Sequence, residues 1–375
     1  MSVVVSVGEG VRSVDAREWD ALVGSDNPFI EHAFLATLEE SGAVGPGTGW
    51  LAKPVLAREG GRLVGAAPAY LRGNSYGEYI FDWAWAQGAR RAGIQYYPKV
   101  TVAVPFTPAT GARLLGESAV HPTLISGVVE LAKVTGSSSV HFLFVPEAQA
   151  HTLAGLGLSP RRTYQFHWTN PGWHSFDDYL GAMTHKRRKE VRRERRLARE
   201  DGVEIRVVRG EDLTSAEWRS LHSFYASTIA KMGAHPYLVD RFWALAPSRL
   251  AQRVVAVLAT RHGECVAGAF NLRKGPHLYG RYWGCLEEHR ALHFEVCYYA
   301  LIEWCLDNGI TRFEAGAQGE HKLSRGFLPS VTHSAHLAFH PGLNEAISRF
   351  CHDEGAATDA EVGALSAESP FRGGG

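Results

Sequence analysis

The stretch RVVAVLATRHGECVAGAFNLRKGPHLYGRYWG, residues 253–284, decides the fold class. It contains three runs of β-branched, aromatic and small apolar residues, separated by turn signals at His262-Gly263 and Gly275-Pro276. This pattern predicts three successive strands. Helical patterns flank it, with SAEWRSLHSFYASTIAKMG before it and HFEVCYYALIEWCLDNG after it. The sequence therefore predicts an α/β (α+β) lobe, a sheet flanked by helices.

The first half of the chain follows the same order of elements. SVVVSV predicts a strand, and VDAREWDALVG predicts a helix with Asp15 near its cap. Gly60-Gly61 joins two strand-like runs as a hairpin signal, and LISGVVELAKVTGSSSVHFLFV predicts a helix, a polar break and a buried strand. The matched order indicates a duplicated fold. We expect lobes at 1–172 and 203–355, a long basic helix at 173–202 and a disordered tail at 356–375.

Composition excludes a global attraction to polyanions. The 375 residues include 39 acidic and 39 basic side chains, so electrostatic recognition has to be local. The first residues, MSVVVSVGEG, lack the basic flank and apolar core of a signal peptide, and no apolar run is long enough for a membrane span. These features predict a cytoplasmic protein that does not insert into membranes.

The cysteines do not form a recognisable metal or disulfide pattern. Five cysteines without a CxxC pair favour reduced thiols. Cys285, His289 and His293 recur every four residues, which on a helix would place three zinc ligands on one face. However, LYGRYWGC predicts a strand ending at Cys285, so the trio is expected to straddle a strand and a loop. Separate packing is favoured, and no metal site is predicted.

A basic segment lies between the lobes. Residues 186–199 carry nine basic side chains and two acidic ones, Glu190 and Glu194. Good helix formers dominate, and apolar positions are sparse, so most of the helix has to face water or a polyanion. A solvated face is the alternative, but ion pairs within the helix cannot cancel this charge. We expect anion binding by Lys186, Arg187 and Arg192.

The segment EAGAQGEHKLSRGF, residues 314–327, gathers polar side chains where a predicted strand ends. It could form a metal site, an anion and substrate cradle, or a polar loop that caps the next helix. Acyl transfer to an amine requires a base, oxyanion donors and a phosphate cradle, and this segment can supply all three. The expected bases are Glu314 and Glu320, the expected oxyanion donor is Gln318, and the expected phosphate partners are His321, Lys322 and Arg325.

Two further segments contribute candidate residues. In LYGRYWG, a period of two places Tyr279, Arg281 and Trp283 on one face of a strand, where the arginine could lie against the aromatic rings and bind an anion. An exposed sheet edge is the alternative. His293 and Glu295 open the next helix as possible bases, although Glu295 could simply complement the helix N-terminus.

In the first lobe, GEYIFDWAWA and YYPKVTV are rich in aromatic residues. Glu78 and Asp82, with Tyr97 and Lys99, could form an aromatic acceptor pocket whose carboxylates hold an amine. Aromatic residues at this density also occur in ordinary cores.

Together, several strings resemble a known family: GEYIFDWAWA, YYPK, PFTPATG, KRRKEVRRERR, LYGRYWG, LHFEVCYYALIE, FEAGAQGEHKLSRGF and HSAHL. In this order they are similar to the bacterial predicted N-acyltransferases of peptidoglycan biosynthesis or recognition, which are FemAB-like relatives within the GNAT superfamily. The resemblance runs from about Asn27 to about Glu354. It implies tandem GNAT-like domains, each a twisted mixed sheet flanked by helices, and transfer of an acyl or aminoacyl group to an amine.

One departure bears on the donor. The resemblance implies a glycine-rich pyrophosphate loop after the strand LYGRYWG if the donor is acetyl-CoA, but the segment here is CLEEHRALHFE, which contains no glycine. Fem-type enzymes lack that loop and use aminoacyl-tRNA, and their lysine motif is similar in position to HKLSRGF. Aminoacyl-tRNA and acyl-CoA both stay open as donor substrates, and no tightly bound cofactor is expected.

The function predicted from the sequence is an N-acyltransferase acting on an amine, with a cell-wall precursor as a possible acceptor and tRNA as a possible partner. The alternative is a non-catalytic binder of a polyanionic ligand, nucleic acid or cell-wall precursor, that uses the basic helix.

Overall fold

The computed structural model describes residues 2–316 and 319–372, apart from the side chain of Glu320. The strands are β1 (Val3–Val7), β2 (Trp50–Ala52), β3 (Val55–Glu59), β4 (Arg62–Ala67), β5 (Ala69–Arg72), β6 (Lys99–Val102), β7 (Leu115–Gly116), β8 (Ser139–Val145), β9 (Ser159–Thr169), β10 (Val203–Arg209), β11 (Val254–Arg261), β12 (Glu264–Lys274), β13 (His277–Cys285), β14 (Arg312–Glu314) and β15 (Leu328–Ala338). The α-helices are α1 (Ala16–Asp20), α2 (His32–Ser41), α3 (Trp83–Arg91), α4 (His121–Val134), α5 (Glu147–Gly155), α6 (Phe176–Ala182), α7 (His185–Leu197), α8 (Ser215–Lys231), α9 (Asp240–Arg249), α10 (Leu292–Phe294), α11 (Ala300–Asp307) and α12 (Pro341–Ala367). A π-helical turn, Glu295–Tyr299, joins α10 to α11, and a 3-10 helix covers Glu320–Arg325.

The chain divides into two compact units. The first comprises residues 1–164 and 331–360, and the second comprises residues 165–330 and 361–375. These units correct the predicted lobe boundaries. The basic segment belongs to the second unit, and residues 331–360 return to the first because β15 pairs with β8 there.

The predicted disordered tail is wrong for residues 356–372. Helix α12 continues to Ala367, and within the first unit Glu354 pairs with Arg161 at 2.6 Å and Asp359 pairs with Arg162 at 2.7 Å. In the second unit the ring of Phe371 packs against Trp173 with centroids 5.0 Å apart. These contacts order a segment whose composition alone resembles a flexible end.

The first unit contains two sheets. One has the order β1-β3-β4-β7, and the other includes β2, β5, β6 and β8 in that sequence of neighbours, with β15 beside β8. Strands β6 and β8 are parallel, and α4 lies in the connection between them. Leu124 and Val128 of α4 are buried in the core of this unit. The predicted Asp15 cap and the Gly60-Gly61 hairpin are confirmed.

In the second unit the strands follow the order β10-β11-β12-β13-β14-β9. The three predicted strands and both predicted turns of residues 253–284 are confirmed, since β11, β12 and β13 form consecutive antiparallel pairs. Helix α8 packs so closely on β13 that a Cβ at Gly284 would overlap the carbonyl group of Phe224. The next pair, β13 and β14, is parallel.

The predicted single basic helix is two helices. Ser175 and Asp178 form a capping box at the start of α6, which ends before an extended residue, Met183. Met183 is fully buried and forms a β-bridge with Phe371, so this packing interrupts the helix before α7 begins. Within the described residues, no helix combines the length and the apolar character that a membrane crossing needs.

Candidate functional site

A pocket opens in the second unit where two parallel strands separate. Strands β13 and β14 pair only between His277–Tyr279 and Arg312–Glu314. Beyond that point lies a pocket of about 110 Å³. Its lining residues are Ala269, Asn271, Gly280, Arg281, Tyr282, Trp283, His293, Cys297, Tyr298 and Ala315. The pocket therefore combines aromatic walls with a few polar groups, as small-molecule sites do.

A β-bulge at Arg281 shapes the rim of this pocket. Tyr282 faces Phe270 on β12 and Gly280 faces Asn271, which leaves Arg281 as an extra residue. The bulge breaks the predicted alternation of side chains along β13, so that prediction is wrong. Tyr279 is buried and does not line the pocket. The Arg281 guanidinium lies 5.1 Å from the ring centre of Tyr282. Consecutive residues of β13 consequently line the pocket.

The π-helical turn supplies another wall. A π-helical turn is wound more widely than an α-helix, so its side chains are spaced differently around the helix axis. Cys297 and Tyr298 line the pocket, while the Tyr299 hydroxyl donates to Glu194 at 2.5 Å. Neither pocket residue of this turn is predicted from the sequence, because the turn looks like an ordinary apolar helix.

His293 is the imidazole of the pocket. Its ring centre lies 5.2 Å from Trp283, 5.5 Å from Tyr298 and 5.8 Å from His321. Burial, followed by the nearby His321 and basic side chains, lowers the His293 pKa to about 4. The ring is therefore neutral near pH 7 and can accept a hydrogen bond.

Lys322 is a buried amine beside the end of β14. Its Nζ donates to the carbonyl oxygen of Gly316 at 2.8 Å, and the residue is only 3% exposed. Burial lowers the pKa of Lys322 to about 8, and Cys297 offsets part of this effect. Such a lysine can lose or gain its proton close to physiological pH.

The other two basic residues of this segment differ in their contacts. Arg325 stacks on Phe294 at 3.5 Å and pairs with Glu194 at 2.7 Å. His321 is exposed, and its Nε2 lies 2.9 Å from the Tyr298 hydroxyl. Arg325 thus joins the 3-10 helix to α7, whereas His321 stays accessible beside the pocket wall.

The predicted catalytic residues fall into three groups. Gln318 and the side chain of Glu320 lie outside the described residues, so their predicted roles stay predictions. Glu314 is buried and lies 3.0 Å from Arg312. Glu295 is fully buried and binds Arg195 at 3.1 Å and Arg199 at 2.7 Å. Glu295 therefore anchors α7 and does not face the pocket.

Helix α7 has two different faces. Val191, Glu194 and Arg195 contact the rest of the second unit through burial and ion pairs. The opposite side, here called the cationic face, lines a groove of about 530 Å³. Its members are His185, Arg188, Lys189, Arg192, Arg193 and Arg196.

Of the predicted helix residues, Arg192 lies on the cationic face. Lys186 is exposed but does not line the groove, and Arg187 pairs with Glu190 at 2.7 Å. The remaining members of the face were identifiable from their spacing of three and four residues, which repeats on one side of a helix.

The predicted acceptor residues of the first unit form an internal network. Lys99 is fully buried, and its Nζ donates to Glu78 at 2.7 Å, to Asp82 at 2.5 Å and to Ser75 at 2.9 Å. Tyr97 contacts Ser75 and borders a separate pocket of about 440 Å³ beside α3. The structure brings these residues together, but the lysine and both carboxylates are enclosed and bound to one another.

No group of three or more His, Cys, Asp or Glu side chains is arranged to hold a metal ion among residues 2–316 and 319–372. Cys285 lies 3.7 Å from Lys231, His289 lies 3.3 Å from Glu287, and His293 lies in the pocket. All five cysteines are free.

Comparisons with known proteins agree with this architecture. The FemAB-like family profile, described as peptidoglycan biosynthesis/recognition, matches residues 10–373. The crystal structure of FemX is similar with a TM-score of 0.57 and 11% identity, over 93% of this chain and 100% of that one. The structure of L-PGS from Bacillus licheniformis has a TM-score of 0.50 and 12% identity, over 84% of this chain and 94% of that one. No curated protein matches the sequence. At such identities the structural similarity is one of fold, and the tandem GNAT-like fold is confirmed.

Proposed function

Because this chain belongs to the FemAB-like family of peptidoglycan biosynthesis or recognition, we propose that it is an N-acyltransferase. It would transfer an acyl or aminoacyl group from an activated donor, an aminoacyl-tRNA or an acyl-CoA, to an amine. A cell-wall precursor with a free amine is the proposed acceptor. The observation that carries this proposal is the pocket between the diverging strands β13 and β14, which brings a neutral imidazole close to the segment of a buried, low-pKa lysine.

The reaction requires one bond exchange and one proton transfer. The acceptor nitrogen attacks the acyl carbon, the C–N bond forms, and the ester C–O or thioester C–S bond of the donor breaks. The nitrogen loses a proton, and the departing oxygen or sulfur gains one. A site for this reaction needs a hydrogen-bond acceptor for the amine and an acid for the leaving group.

The pocket residues can divide these tasks with Lys322, which does not line the pocket but donates to Gly316, the neighbour of the pocket residue Ala315. Neutral His293 would accept a hydrogen bond from the attacking amine. Lys322, whose pKa is about 8, would protonate the leaving group and stabilise the developing oxyanion while it is charged. Arg281 at the rim would hold a carboxylate or phosphate of a substrate. Trp283 and Tyr298 would exclude water from the reacting atoms.

Mass spectrometry of the acceptor tests this function. Purified protein is incubated with a cell-wall precursor bearing a primary amine, and with charged tRNA or acyl-CoA in parallel reactions. The expected result is an acceptor mass increased by one acyl group. We expect the rate to fall at least a hundredfold in His293→Ala and Lys322→Ala, since a positioned acid or base contributes about 10²-fold or more.

Arg241→Ala serves as the matched control, because this exposed arginine of α9 lies in the same unit and is not a pocket residue. Its rate should equal that of the wild type. No transfer with either donor class and any amine acceptor would refute the proposal.

The cationic face favours a second candidate, a non-catalytic binder of a polyanionic ligand. That function predicts ligand binding that depends on Arg192 and ignores His293 and Lys322, together with no turnover.

A further inference from the structure

Exposed aromatic side chains are concentrated on one segment of the first unit, and the proposed chemistry does not use them. Tyr76 is 62% exposed, Phe81 is 59% exposed and Trp83 is 43% exposed. The rings of Tyr76 and Trp83 are in contact, with centroids 5.0 Å apart. Single exposed apolar side chains are common, but adjacent ones mark a surface that binds a partner. These three residues are here called the aromatic patch.

The backbone that carries the aromatic patch is fixed by buried groups. The Tyr76 carbonyl oxygen accepts hydrogen bonds from Trp50 Nε1 at 3.0 Å and from Arg72 at 2.7 Å. The Phe81 carbonyl oxygen accepts one from Arg161 at 3.2 Å. Because its backbone is held at both ends, this segment cannot turn its rings inward to remove them from water.

The enclosed network around Lys99 holds the same segment from below. Lys99 Nζ donates to Glu78 at 2.7 Å and to Asp82 at 2.5 Å. Between these two carboxylates, Tyr79 has a φ of 58°, in the left-handed region that a large side chain rarely adopts. Such strain persists only where the surrounding structure imposes it, and it concentrates at functional sites. The residues predicted to form an acceptor pocket thus support an exposed surface.

An apolar groove continues the aromatic patch along α3. Its volume is about 440 Å³, and its lining includes Ala86, Ile94 and Tyr97. The Tyr97 hydroxyl lies 2.7 Å from the Ser75 hydroxyl, so the groove begins beside the residue that precedes Tyr76. A groove of this size and lining can receive part of an acyl chain.

Two arginines give this surface a positive charge. Arg90 follows Trp83 by seven positions, so both lie on one stripe of α3, and Arg90 also borders the groove. Arg90 and its neighbour Arg91 are exposed, and neither forms an ion pair with another residue in the part of the chain that the structure describes. Aromatic rings beside such cations match the boundary between the headgroups and the chains of an anionic lipid layer. A phosphate backbone would instead require a longer row of cations.

From these observations we propose that the aromatic patch, the groove and the two arginines bind the surface of an anionic membrane. The rings enter the interfacial layer, Arg90 and Arg91 contact lipid phosphates, and an acyl chain lies in the groove. The contact is peripheral, because only side chains enter the lipid and no helix has to cross it. This proposal does not depend on the proposed acyl transfer.

Co-sedimentation with lipid vesicles tests the site. The full chain is mixed with vesicles of equal parts phosphatidylglycerol and phosphatidylcholine, or with vesicles of phosphatidylcholine alone. The wild type should bind the anionic vesicles more tightly. Arg90→Ala/Arg91→Ala should weaken that binding by about 30-fold, since each cation near such a surface contributes about fivefold. Phe81→Ala/Trp83→Ala should weaken it by roughly tenfold or more, because about half of each ring would enter the lipid.

Two matched pairs of substitutions control for lost charge and lost apolar area. Arg17→Ala/Arg62→Ala removes two exposed arginines of the same unit, one on α1 and one on β4. Val134→Ala/Leu156→Ala removes two exposed apolar side chains of that unit. Both control variants should bind the anionic vesicles like the wild type.

A spectroscopic measurement tests the position of Trp83 without relying on affinity. Vesicles with brominated acyl chains quench the fluorescence of tryptophans that enter the lipid. Trp83→Phe keeps an aromatic ring, so it should bind the vesicles like the wild type but show clearly less quenching. This variant also keeps the proposal testable if Phe81→Ala/Trp83→Ala does not fold.

Several outcomes would overturn the proposal. Equal binding to neutral and anionic vesicles would do so, as would equal quenching in the wild type and Trp83→Phe. Arg192→Ala/Arg196→Ala distinguishes the aromatic patch from the cationic face of α7. Binding that is lost in this variant but kept in Arg90→Ala/Arg91→Ala would assign the lipid attraction to α7 instead. A wild type that binds neither kind of vesicle would leave the patch to a protein partner.

Discussion

Replacing the buried Lys322 with methionine is expected to stabilise the protein while it abolishes acyl transfer. Burial lowers the pKa of Lys322 from its ordinary 10.5 to about 8. Each tenfold change in a protonation equilibrium is worth about 1.4 kcal/mol, so keeping this amine charged in the folded state costs about 3 kcal/mol below pH 8. Methionine has a similar length and carries no charge.

The lost hydrogen bond to Gly316 reduces this gain. Removing a hydrogen bond donated by a charged group costs about 2 kcal/mol, which leaves a net stabilisation of about 1 kcal/mol at pH 7. The sign follows from the protons bound. Between pH 8 and 10.5 the unfolded chain holds the Lys322 proton more tightly than the folded one, so wild-type stability rises with pH through that window. The variant lacks this rise.

Urea unfolding of wild type and Lys322→Met at pH 7 and pH 10 measures both effects. The advantage of the variant should be present at pH 7 and largely gone at pH 10. Taking the difference in the free energy of unfolding between the two proteins cancels the contributions of the other groups that titrate at high pH. Lys186→Met is the control, because this lysine is exposed on α7 and its removal should not change stability. A variant less stable than the wild type at pH 7, or an advantage that does not change with pH, would refute the reasoning about Lys322.

Three more substitutions test other parts of the structure. Glu295→Gln should lower the free energy of unfolding, measured with urea, by about 2–3 kcal/mol, because two partly exposed arginines lose their buried partner. The control is Glu303→Gln, which removes a half-exposed carboxylate and should cost less than about 1 kcal/mol in the same urea assay. Gly284→Ala should cost at least 2 kcal/mol, since its Cβ would overlap the backbone of α8; Gly181→Ala, with open space around it, should not destabilise, and thermal melts will compare the two. His336→Leu should weaken the acid sensitivity of the first unit. Burial holds the pKa of His336 well below 6.5, so the wild type loses stability as the pH falls through 6.5. Urea midpoints at pH 7 and pH 5 measure this loss, and an equal shift in both proteins would contradict the prediction.

Local signals predicted much of the fold. The strands of residues 253–284 and their turns follow from apolar runs and turn residues that act over a few positions. The Asp15 cap likewise depends only on its two neighbours, Arg17 and Glu18. Features of this kind are encoded where they occur, so a single sequence suffices to find them.

Features that depend on distant residues were not predictable in the same way. Glu295 seemed suited to catalysis because it opens a helix, but its partners Arg195 and Arg199 lie about a hundred positions earlier. The end of α12 resembles a flexible tail until Arg161 and Arg162 are seen to bind it. Tertiary ion pairs decide both cases, and no local pattern contains them.

Irregular backbone also made parts of the candidate site unpredictable from the sequence. The pattern of LYGRYWG implies strict alternation, and the bulge at Arg281 breaks it. The π-helical turn then places Cys297 and Tyr298 in the pocket from a stretch that looks like a core helix. Bulges and π-turns cost stability in regular elements and concentrate at functional sites, so their presence on two neighbouring walls supports the pocket as the site.

The same π-helical turn connects the pocket with α7. Glu295 at its start holds Arg195 and Arg199, and Tyr298 near its end lines the pocket and contacts His321. A shift of this turn would move the anchor of the cationic face and the wall of the reaction pocket together. Glu295→Gln is therefore expected to weaken acyl transfer and the binding of a polyanion to the cationic face in parallel, although Glu295 lines neither the pocket nor the groove. If the two activities responded independently, the turn would not be the element that couples them.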